Sequence, residues 1–442
     1  MLTDTQGLEV TTDSSEAIAA IDRFVEQSLS YGDDALVIHK AIAADPTCAL
    51  AHAHAAANYL SWESAAGSNA ASPHIQAAKK YLSKASEREK LYVWAIDAWA
   101  SCDVECAIAY HEEIAQKYPR DIASVQRGQY HYFYLGHKEK LLQIGETVLP
   151  ANRENHYLYG MIAFGLEQCH HLEAAEAMGR KAVEMNPHDP WAHHAVAHVM
   201  EMQGRLDEGI AWMQNFAETW ENCNSMLLTH NWWHIALYYL EKEEFPAVLE
   251  LYDSHVWGRA TKESSKDQVG AIALLLRLEL RGIDVGSRWQ KLATYLKPRI
   301  HEHALPFQDI HYIYALARAG KTELVNEMLF SMQAYARNSH QQKIWAEVAI
   351  PTAKAMNACA RGEWESAIAR LRLTLPRLHE IGGSHAQRDL FEQVYLDAWL
   401  RAQQNHEALR LLQKRQASRR YIPSLAHGLG LTHIKPLKLK AV

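Results

Sequence analysis

Apolar residues recur along this chain at the spacing of an amphipathic helix, in one segment after another. The first segment begins at Ser15 and carries apolar side chains at Ile18, Ile21, Phe24, Val25 and Leu29. Steps of three and four residues place such side chains on one face of a helix. No sustained period-two run bounded by turn residues, the pattern of a strand, occurs in the sequence. The pattern therefore predicts an all-α protein.

The predicted helices come in pairs joined by short turns, several of which contain proline or glycine. The clearest repeats lie within residues 120–256, as the pairs His156–Gln168 with Leu172–Met185, Pro190–Gln203 with Leu206–Thr219, and Ser225–Lys242 with Phe245–His255. Small residues such as Ala163, Ala175 and Ala197 stand where two helices would cross closely. Helix pairs of about 34 residues with small side chains at the crossings are typical of tetratricopeptide repeats. We therefore expect one α-solenoid or superhelix.

The same pattern divides the chain into three parts. We predict a flexible N-terminus over residues 1–14, a helical repeat array over residues 15–417, and an irregular C-terminal tail over residues 418–442. Within the array, the small polar stretch Gly67–Ser72 is predicted as a loop before a helix over Ile75–Ser83.

Composition narrows the class of protein. At 442 residues the chain exceeds one typical core, and its 48% hydrophobic and 22% charged residues fit an ordinary folded soluble protein. A net charge of -7 argues against a nucleic-acid surface. The polar N-terminus has no secretory signal, and no apolar run is long enough for a membrane span. Six scattered cysteines suit a reducing compartment, so we expect a cytoplasmic protein.

Short motifs in a fixed order resemble the tetratricopeptide repeat protein 38 family, of which this chain would be a bacterial member. They include Ala44-Asp45-Pro46-Thr47, Tyr132-Phe133-Tyr134-Leu135-Gly136, Asn186-Pro187-His188-Asp189-Pro190-Trp191, His230-Asn231-Trp232-Trp233-His234, Tyr252-Asp253-Ser254-His255, Phe307-Gln308-Asp309-Ile310-His311 and Gly382-Gly383-Ser384-His385. The motifs span nearly the whole chain. The resemblance implies an all-α repeat fold and brings no settled activity.

Histidine is abundant, with 26 residues, and four of them stand at one phase of the repeat. His194 and His198 form one His-x-x-x-His pair, and His230 and His234 form a second pair 36 residues later. Residues four apart lie on one face of a helix. If the unit repeats in space as it does in sequence, the two pairs lie side by side on neighbouring helices.

Groove positions in tetratricopeptide repeats are the second, fifth, ninth and twelfth of the first helix of each pair. Counted in this way, three consecutive units place toward the groove Tyr157, Gly160, Phe164 and Glu167, then Trp191, His194, His198 and Glu201, then Leu227, His230, His234 and Leu237. Packed helices are about 8–10 Å apart, so side chains from two helices can reach a common point.

Two kinds of chemistry suit this cluster. Neutral imidazoles with a carboxylate nearby are ligands for a divalent metal such as Zn, Fe or Mn, and His194, His198, His230 and His234 are the candidate ligands. The same four histidines with Glu201 could instead act as general acids and bases. Further candidates for binding a ligand are Trp191, Trp233, Tyr157, Glu167, Asp253, His255, Asp309, His311, Arg288 and Arg388. No His-Glu-x-x-His sequence is present, so no known metallohydrolase motif supports the assignment.

Three functions stay open at this point. The first is a repeat scaffold whose concave groove, lined by His, Glu and Trp, binds a small molecule, a peptide or a partner protein. The second is an enzyme, metal-dependent or not, that acts on a small polar molecule with the groove His and Glu residues. The third is structural packing of the histidines, with no ligand. We expect the groove to bind a ligand, and the sequence leaves open whether the protein is an enzyme.

Overall fold

The computed structural model describes residues 1–418, and nearly all of its regular structure is helical. The all-α prediction is confirmed. The predicted irregular tail lies outside the described residues, apart from Ser418, the last residue of the final helix.

Helices follow one another as antiparallel pairs along the described chain. The first pairs are α1 (Ser15–Leu29) with α2 (Ile38–Ala44), α3 (Ala49–Leu60) with α4 (Ala65–Tyr81), α5 (Glu87–Ala100) with α6 (Val104–Lys117), and α7 (Ile122–Leu135) with α8 (Lys138–Val148). The middle pairs are α9 (His156–Gln168) with α10 (Leu172–Met185), α11 (Pro190–Gln203) with α12 (Leu206–Phe216), and α13 (Ser225–Glu241) with α14 (Phe245–Leu251). The last helices are α15 (Ser265–Leu280), α16 (Arg288–Ala293), α17 (Pro306–Arg318), α18 (Thr322–Ala336), α19 (Gln342–Ile344), α20 (Ile350–Ala360), α21 (Trp364–Thr374), α22 (His385–Arg401) and α23 (Asn405–Ser418). This succession is a tetratricopeptide-like α-solenoid, as predicted.

The N-terminal segment of residues 1–14 contains a small hairpin. Strands β1 (Leu2–Thr3) and β2 (Glu9–Val10) pair antiparallel, and the side chain of Val10 is fully buried. Thr11 donates its backbone N–H to a carboxylate oxygen of Glu89 in α5 at 2.9 Å. The strands are two residues long, too short to show the alternation by which a sequence indicates a strand.

The predicted loop at Gly67–Ser72 is instead part of α4, which is continuous through Pro73. Ser64 caps the helix by accepting a hydrogen bond from the backbone N–H of Gly67 at 3.1 Å. A side chain at Gly67 would collide with the carbonyl oxygen of Tyr59 in α3. Small residues are required here because α4 packs closely on α3, and that packing outweighs their weak helix propensity.

No helix in residues 1–418 is both long and apolar enough to cross a membrane. The apolar faces are buried instead between successive helices. The largest cluster of buried apolar residues spans the second half of the array, from Trp233 to Leu412.

The superhelix closes on itself, which brings both ends of the array to its middle. On one side, the loops after α1 and α3 meet the helices from α13 onward: Asn224 donates its N–H to the carbonyl of Tyr31 at 2.7 Å, and Lys266 Nζ donates to the carbonyl of Ser61 at 2.9 Å. On the other side, His385 Nε2 contacts the carbonyl of Gln168 at 2.9 Å. The concave groove of an open solenoid is thereby turned into an interior cavity.

Candidate ligand and metal site

The cavity, with a volume of about 240 Å³, lies at the centre of the closed superhelix and is lined by residues from α1 to α22. Its walls carry aromatic side chains, among them Phe133, Phe164 and Trp191, together with a few charged and amide groups. Concave, mostly apolar sites with a small number of convergent polar groups are typical of small-molecule binding.

Helices α11 and α13 present the four histidines at one side of this cavity. Asp189 caps α11 by accepting the N–H of Ala192 at 3.0 Å, and Pro190 occupies the first helical position. Asn224 caps α13 in the same way through the N–H of Leu227 at 3.1 Å. Both helices therefore begin at a defined residue, which sets the phase of each His-x-x-x-His pair.

The position of α13 against α11 depends on close packing behind the histidines. Tyr238 in α13 donates its hydroxyl to the carbonyl of Ala197 in α11 at 2.7 Å. The ring of Tyr238 passes over Gly209 in α12, where any side chain would collide with it. The small residue at Gly209 thus lets three helices meet behind the site.

His194, His198, His230 and His234, here called the His tetrad, converge on one point. Each offers one ring nitrogen, and these four nitrogens all lie within 4.8 Å of one another. His194 Nε2 lies 3.0 Å from His198 Nε2 and 3.1 Å from His230 Nε2. A metal bound at 2.0–2.1 Å by tetrahedral nitrogens holds them about 3.3 Å apart. The two spacings at His194 are close to this value, and all four nitrogens lie within 4.8 Å.

Hydrogen bonding alone does not satisfy the tetrad. The Nε2 of His194 faces two other Nε2 atoms, and a neutral ring nitrogen has either one N–H or one lone pair. It can therefore make only one good hydrogen bond with the two. Both ring nitrogens of His234 and the Nδ1 of His194 are buried and have no hydrogen-bond partner among the described residues. Such atoms also occur elsewhere among the described residues, as at Trp289 and Tyr312, so it is their convergence in the tetrad, and not their number, that suits a bound ion.

Two carboxylates stand behind the tetrad. His198 Nδ1 lies 3.8 Å from Glu167 Oε1, and His234 Nδ1 lies 3.4 Å from Glu201 Oε2. Metal-ligating histidines almost always turn their second nitrogen to a carboxylate or carbonyl, which fixes the tautomer and the ring orientation. Glu167 and Glu201 are placed for this role.

The tetrad is neutral at ordinary pH. Burial, reinforced by neighbouring imidazoles, holds the pKa of His194, His198 and His230 well below the usual value for histidine. Burial also lowers the pKa of His234 to about 3, and the nearby Arg277 guanidinium adds to the effect. The close contacts with Glu167 and Glu201 are therefore between a neutral ring and a carboxylate, and not ion pairs. Neutral imidazole is the form that ligates a metal.

Other residues singled out from the sequence line the same cavity. Trp191 packs against His194 with ring centroids 4.6 Å apart, and Trp233 stacks on His230 at 5.2 Å. His311 also faces the cavity, and its Nδ1 contacts the carbonyl of Phe307 at 2.7 Å. The cavity is thus bordered by aromatic and imidazole rings on the side of the tetrad.

A second group of candidates lies elsewhere. Asp253 is exposed and forms an ion pair with Arg288, whose Nε lies 3.0 Å from its carboxylate. His255 packs on Trp232 with centroids 3.8 Å apart. Tyr157 is half-buried against His156 with centroids 3.9 Å apart. These side chains are engaged with neighbours outside the cavity lining.

Arg388 is buried behind the tetrad. Its guanidinium donates to the carbonyl of Gly383, and burial lowers the pKa of Arg388 to about 10, against the opposing charge of Glu167. Arg388 therefore supports the carboxylate that faces His198.

Asp309 belongs to a separate cluster. Its carboxylate lies 2.6 Å from His303 Nδ1, and His303 Nε2 lies 2.7 Å from the hydroxyl of Ser331. This order of contacts is that of a Ser-His-Asp triad. Ser331 lies in the interior of α18, however, where backbone N–H groups bond within the helix and cannot form an oxyanion hole. The cluster therefore has the character of a satisfied structural network.

Three charged residues of the cavity lining were not among the candidates predicted from the sequence: Glu63, Arg127 and Lys266. A signal for the α7 wall was present: the same groove count from Ile122 gives Ala123, Gln126, Tyr130 and Phe133, and the last three line the cavity. Glu63 and Lys266 lie at a loop and a helix start, which a count along helices does not reach.

No protein-family model matches this chain. Among solved structures, it is similar to a Rap protein complexed with competence and sporulation factor, at 14% identity over 76% of this chain and 99% of that chain, with a TM-score of 0.44. It is also similar to the human IFIT1 dimer with PPP-AAAA, at 14% identity over 97% of this chain and 94% of that chain, with a TM-score of 0.41. At these identities and scores, the fold of this chain follows from its own helix pairing, and the molecules bound by those proteins concern them alone.

Proposed function

We propose that this protein binds a small molecule in its central cavity and holds a divalent transition metal in the His tetrad at the cavity wall. The observation that carries the proposal is that four imidazole nitrogens, from three buried rings and the half-buried ring of His230, lie within 4.8 Å of one another. The rings of His194, His198 and His230 also line the cavity. Imidazole ligands suit Zn and Fe better than Mn, which prefers oxygen, so Zn and Fe are the metals we expect among the three.

Closure of the superhelix favours a small molecule over a peptide or partner protein. A peptide lies along the open concave face of a solenoid, whereas here the groove is an interior space of about 240 Å³. That volume suits a small molecule.

The first test is elemental analysis of protein purified without a histidine tag. We expect one equivalent of Zn or Fe in the native protein and none in the His194→Ala/His230→Ala double variant, with helicity by circular dichroism unchanged. A matched control is His188→Ala, which removes an exposed histidine and should retain the metal. Metal-free native protein that also fails to bind added Zn²⁺ or Fe²⁺ would overturn the metal assignment. Loss of helicity in the double variant would make the tetrad a packing element.

A second candidate function is a metal-dependent enzyme that acts on the bound molecule. His194, His198 and His230 line the cavity, so that a metal in the tetrad and a molecule in the cavity would share one space. Catalytic metal sites keep a coordination position open, whereas structural sites are closed. Azide added to the Co²⁺-substituted protein should change its visible spectrum if a position is open. An unchanged spectrum would exclude the enzyme.

We also propose membership of the tetratricopeptide repeat protein 38 family and a cytoplasmic location. The ordered motifs support the first proposal, because the structure places Gly136 against His379 and Gly382 against Tyr134, so that two of the motifs meet in space. Six free cysteines support the second proposal. Fractionation of the native cells would test the location.

A further inference from the structure

The cavity wall carries an unbalanced positive charge. Of the described residues that line it, only Glu63 is acidic, while Arg127 and Lys266 are basic. Lys266 Nζ lies 3.1 Å from Glu63 Oε1, so the carboxylate and one of the cations form an ion pair. Glu63 also accepts a hydrogen bond from the hydroxyl of Tyr130 at 2.8 Å and another from the side-chain amide of Gln308. Glu63 is thus fully engaged by its own neighbours.

Arg127, on α7, is the cation that remains. It has no ion pair with any carboxylate of residues 1–415, and its guanidinium donates to the hydroxyl of Ser28 at 3.1 Å. Other arginines packed into the array have carboxylate partners, such as Arg88 with Asp121 at 2.7 Å. A guanidinium carries five N–H donors, so Arg127 retains several donors for a ligand.

Neighbouring groups respond to this charge. Burial, with Arg88 and then Arg127 adding to the effect, lowers the pKa of His54 to about 3, and burial with Arg127 lowers the pKa of His111 to about 3. Side chains around Arg127 on α1 and α7 are neutral amides and hydroxyls, including Gln126 and Ser28. This surrounding favours an anion beside Arg127 and offers no protein carboxylate to supply it.

An apolar path leads from Arg127 toward the His tetrad. Phe133 lies further along α7, about 9 Å from Arg127 at 1.5 Å of helix rise per residue. Phe133 packs against Phe164 with centroids 5.8 Å apart, and Phe164 packs against His194 at 5.7 Å. A ligand that spans this distance meets a cation at one end and aromatic rings along its length.

We propose that the cavity binds an organic carboxylate with an apolar body, and that Arg127 binds its carboxylate while Phe133 and Phe164 contact the body. This inference deepens the proposed function and rests on it for the cavity, but it does not depend on a metal. Guanidinium and carboxylate match in two parallel hydrogen bonds, which gives both affinity and orientation.

Calorimetric titration with octanoate and with octanol tests the charge preference. Native protein should bind octanoate at least tenfold more tightly than octanol, because a hydrogen bond to a charged group contributes about 1.5–3 kcal/mol, which is roughly 10–150-fold in affinity. In Arg127→Gln the two affinities should become equal, and Arg127→Lys should recover part of the preference. The matched control Arg23→Gln removes an exposed arginine of α1 and should leave octanoate binding unchanged.

The outcomes separate this inference from the metal assignment. Equal binding of octanoate and octanol by native protein, or no binding of either, would overturn the carboxylate proposal, as would full retention of octanoate in Arg127→Gln. If inorganic phosphate binds through Arg127 and octanoate does not, the proposal that the ligand has an apolar body would be wrong. The Arg127→Gln protein should keep its thermal midpoint within a few degrees and its metal. A protein that binds octanoate through Arg127 but takes up no metal would overturn only the metal assignment.

Discussion

Two buried histidine clusters in this molecule use the same residue types and differ in what their ring nitrogens face. In the cluster around His303, one nitrogen meets Asp309 at 2.6 Å and the other meets the Ser331 hydroxyl at 2.7 Å. In the His tetrad, ring nitrogens face one another, and within the part of the chain that the structure describes both nitrogens of His234 have no hydrogen-bond partner.

On this difference we base the proposal that His303 is structural and that the tetrad binds a ligand. A histidine with both nitrogens bonded is complete, and its burial is explained by the fold. In the tetrad, the facing ring nitrogens of His194, His198 and His230 cannot all satisfy one another, and we propose that a metal ion supplies the missing electron-pair acceptor. Burial alone does not distinguish the clusters, since His303 and His198 are 2% and 1% exposed.

The largest expected effect comes from His194→Ala. Its Nε2 contacts two other members of the tetrad, so its removal should weaken metal binding at least about 1000-fold, or about 4 kcal/mol. Competition with a chromophoric chelator would measure the affinity. The same assay on His303→Ala should give the native affinity, and a comparable loss there would erase the distinction between the clusters.

Asp309→Asn should give the reverse result. It breaks a buried contact between a carboxylate and a histidine, which typically costs about 3 kcal/mol of unfolding free energy. Urea denaturation would measure the loss, and the metal content should stay at the native value. The comparison fails if stability is unchanged while metal is lost.

Glu201→Gln tests the carboxylate behind the tetrad. The amide keeps the shape of the side chain but removes the negative charge 3.4 Å from His234 Nδ1, so metal affinity should fall about 10–100-fold with little change in stability. Glu208→Gln, at an exposed position on α12, is the matched control and should leave the affinity unchanged. An affinity equal to the native value in Glu201→Gln would mean that Glu201 only fills space.

A smaller effect per group is expected from acid. His54 and His111 each have one ring nitrogen bonded, to Tyr92 and Ser124, and burial lowers the pKa of both histidines to about 3. Below pH 6.5, His54 and His111 bind protons in the unfolded chain but not in the folded chain. Their contribution to the free energy of unfolding is therefore full above pH 6.5 and falls as the pH is lowered toward 3. The slope is about 1.4 kcal/mol per pH unit for each histidine.

Chemical denaturation of apo protein at several pH values would show this slope. His54→Phe removes one titrating group, so it should lower the slope of unfolding free energy against pH by about 1.4 kcal/mol per pH unit. His188→Ala, at an exposed position, should leave the slope unchanged. A slope that His54→Phe leaves unaltered would mean that His54 is protonated in the folded state.

The helices of the α11–α13 region and the faces on which their histidines lie could be predicted from local sequence patterns. The phase of His194 and His198 depends on where α11 begins, and the Asp189-Pro190 cap marks that residue in the sequence. The pairing of Asp253 with Arg288 did not follow, because their ion pair joins residues 35 apart, on either side of α15, and no periodicity describes that contact. Arg127 was not predicted as a site residue, because an arginine on a helix is usually exposed. Its unusual feature, that no carboxylate of residues 1–415 pairs with it, depends on contacts that the local sequence does not show.

By itself, the sequence determined the helices, their pairing and the side on which each histidine pair lies, because helix periodicity and capping act within a few residues of chain. The tertiary structure decided that the superhelix closes, that the concave groove becomes a cavity, and that Arg127 lies within it with no ion pair to a carboxylate of residues 1–415. Contacts such as His385 with Gln168 join residues 217 apart. Small rotations between successive helix pairs accumulate along a repeat array, and their sum, which no local pattern encodes, sets whether the ends meet.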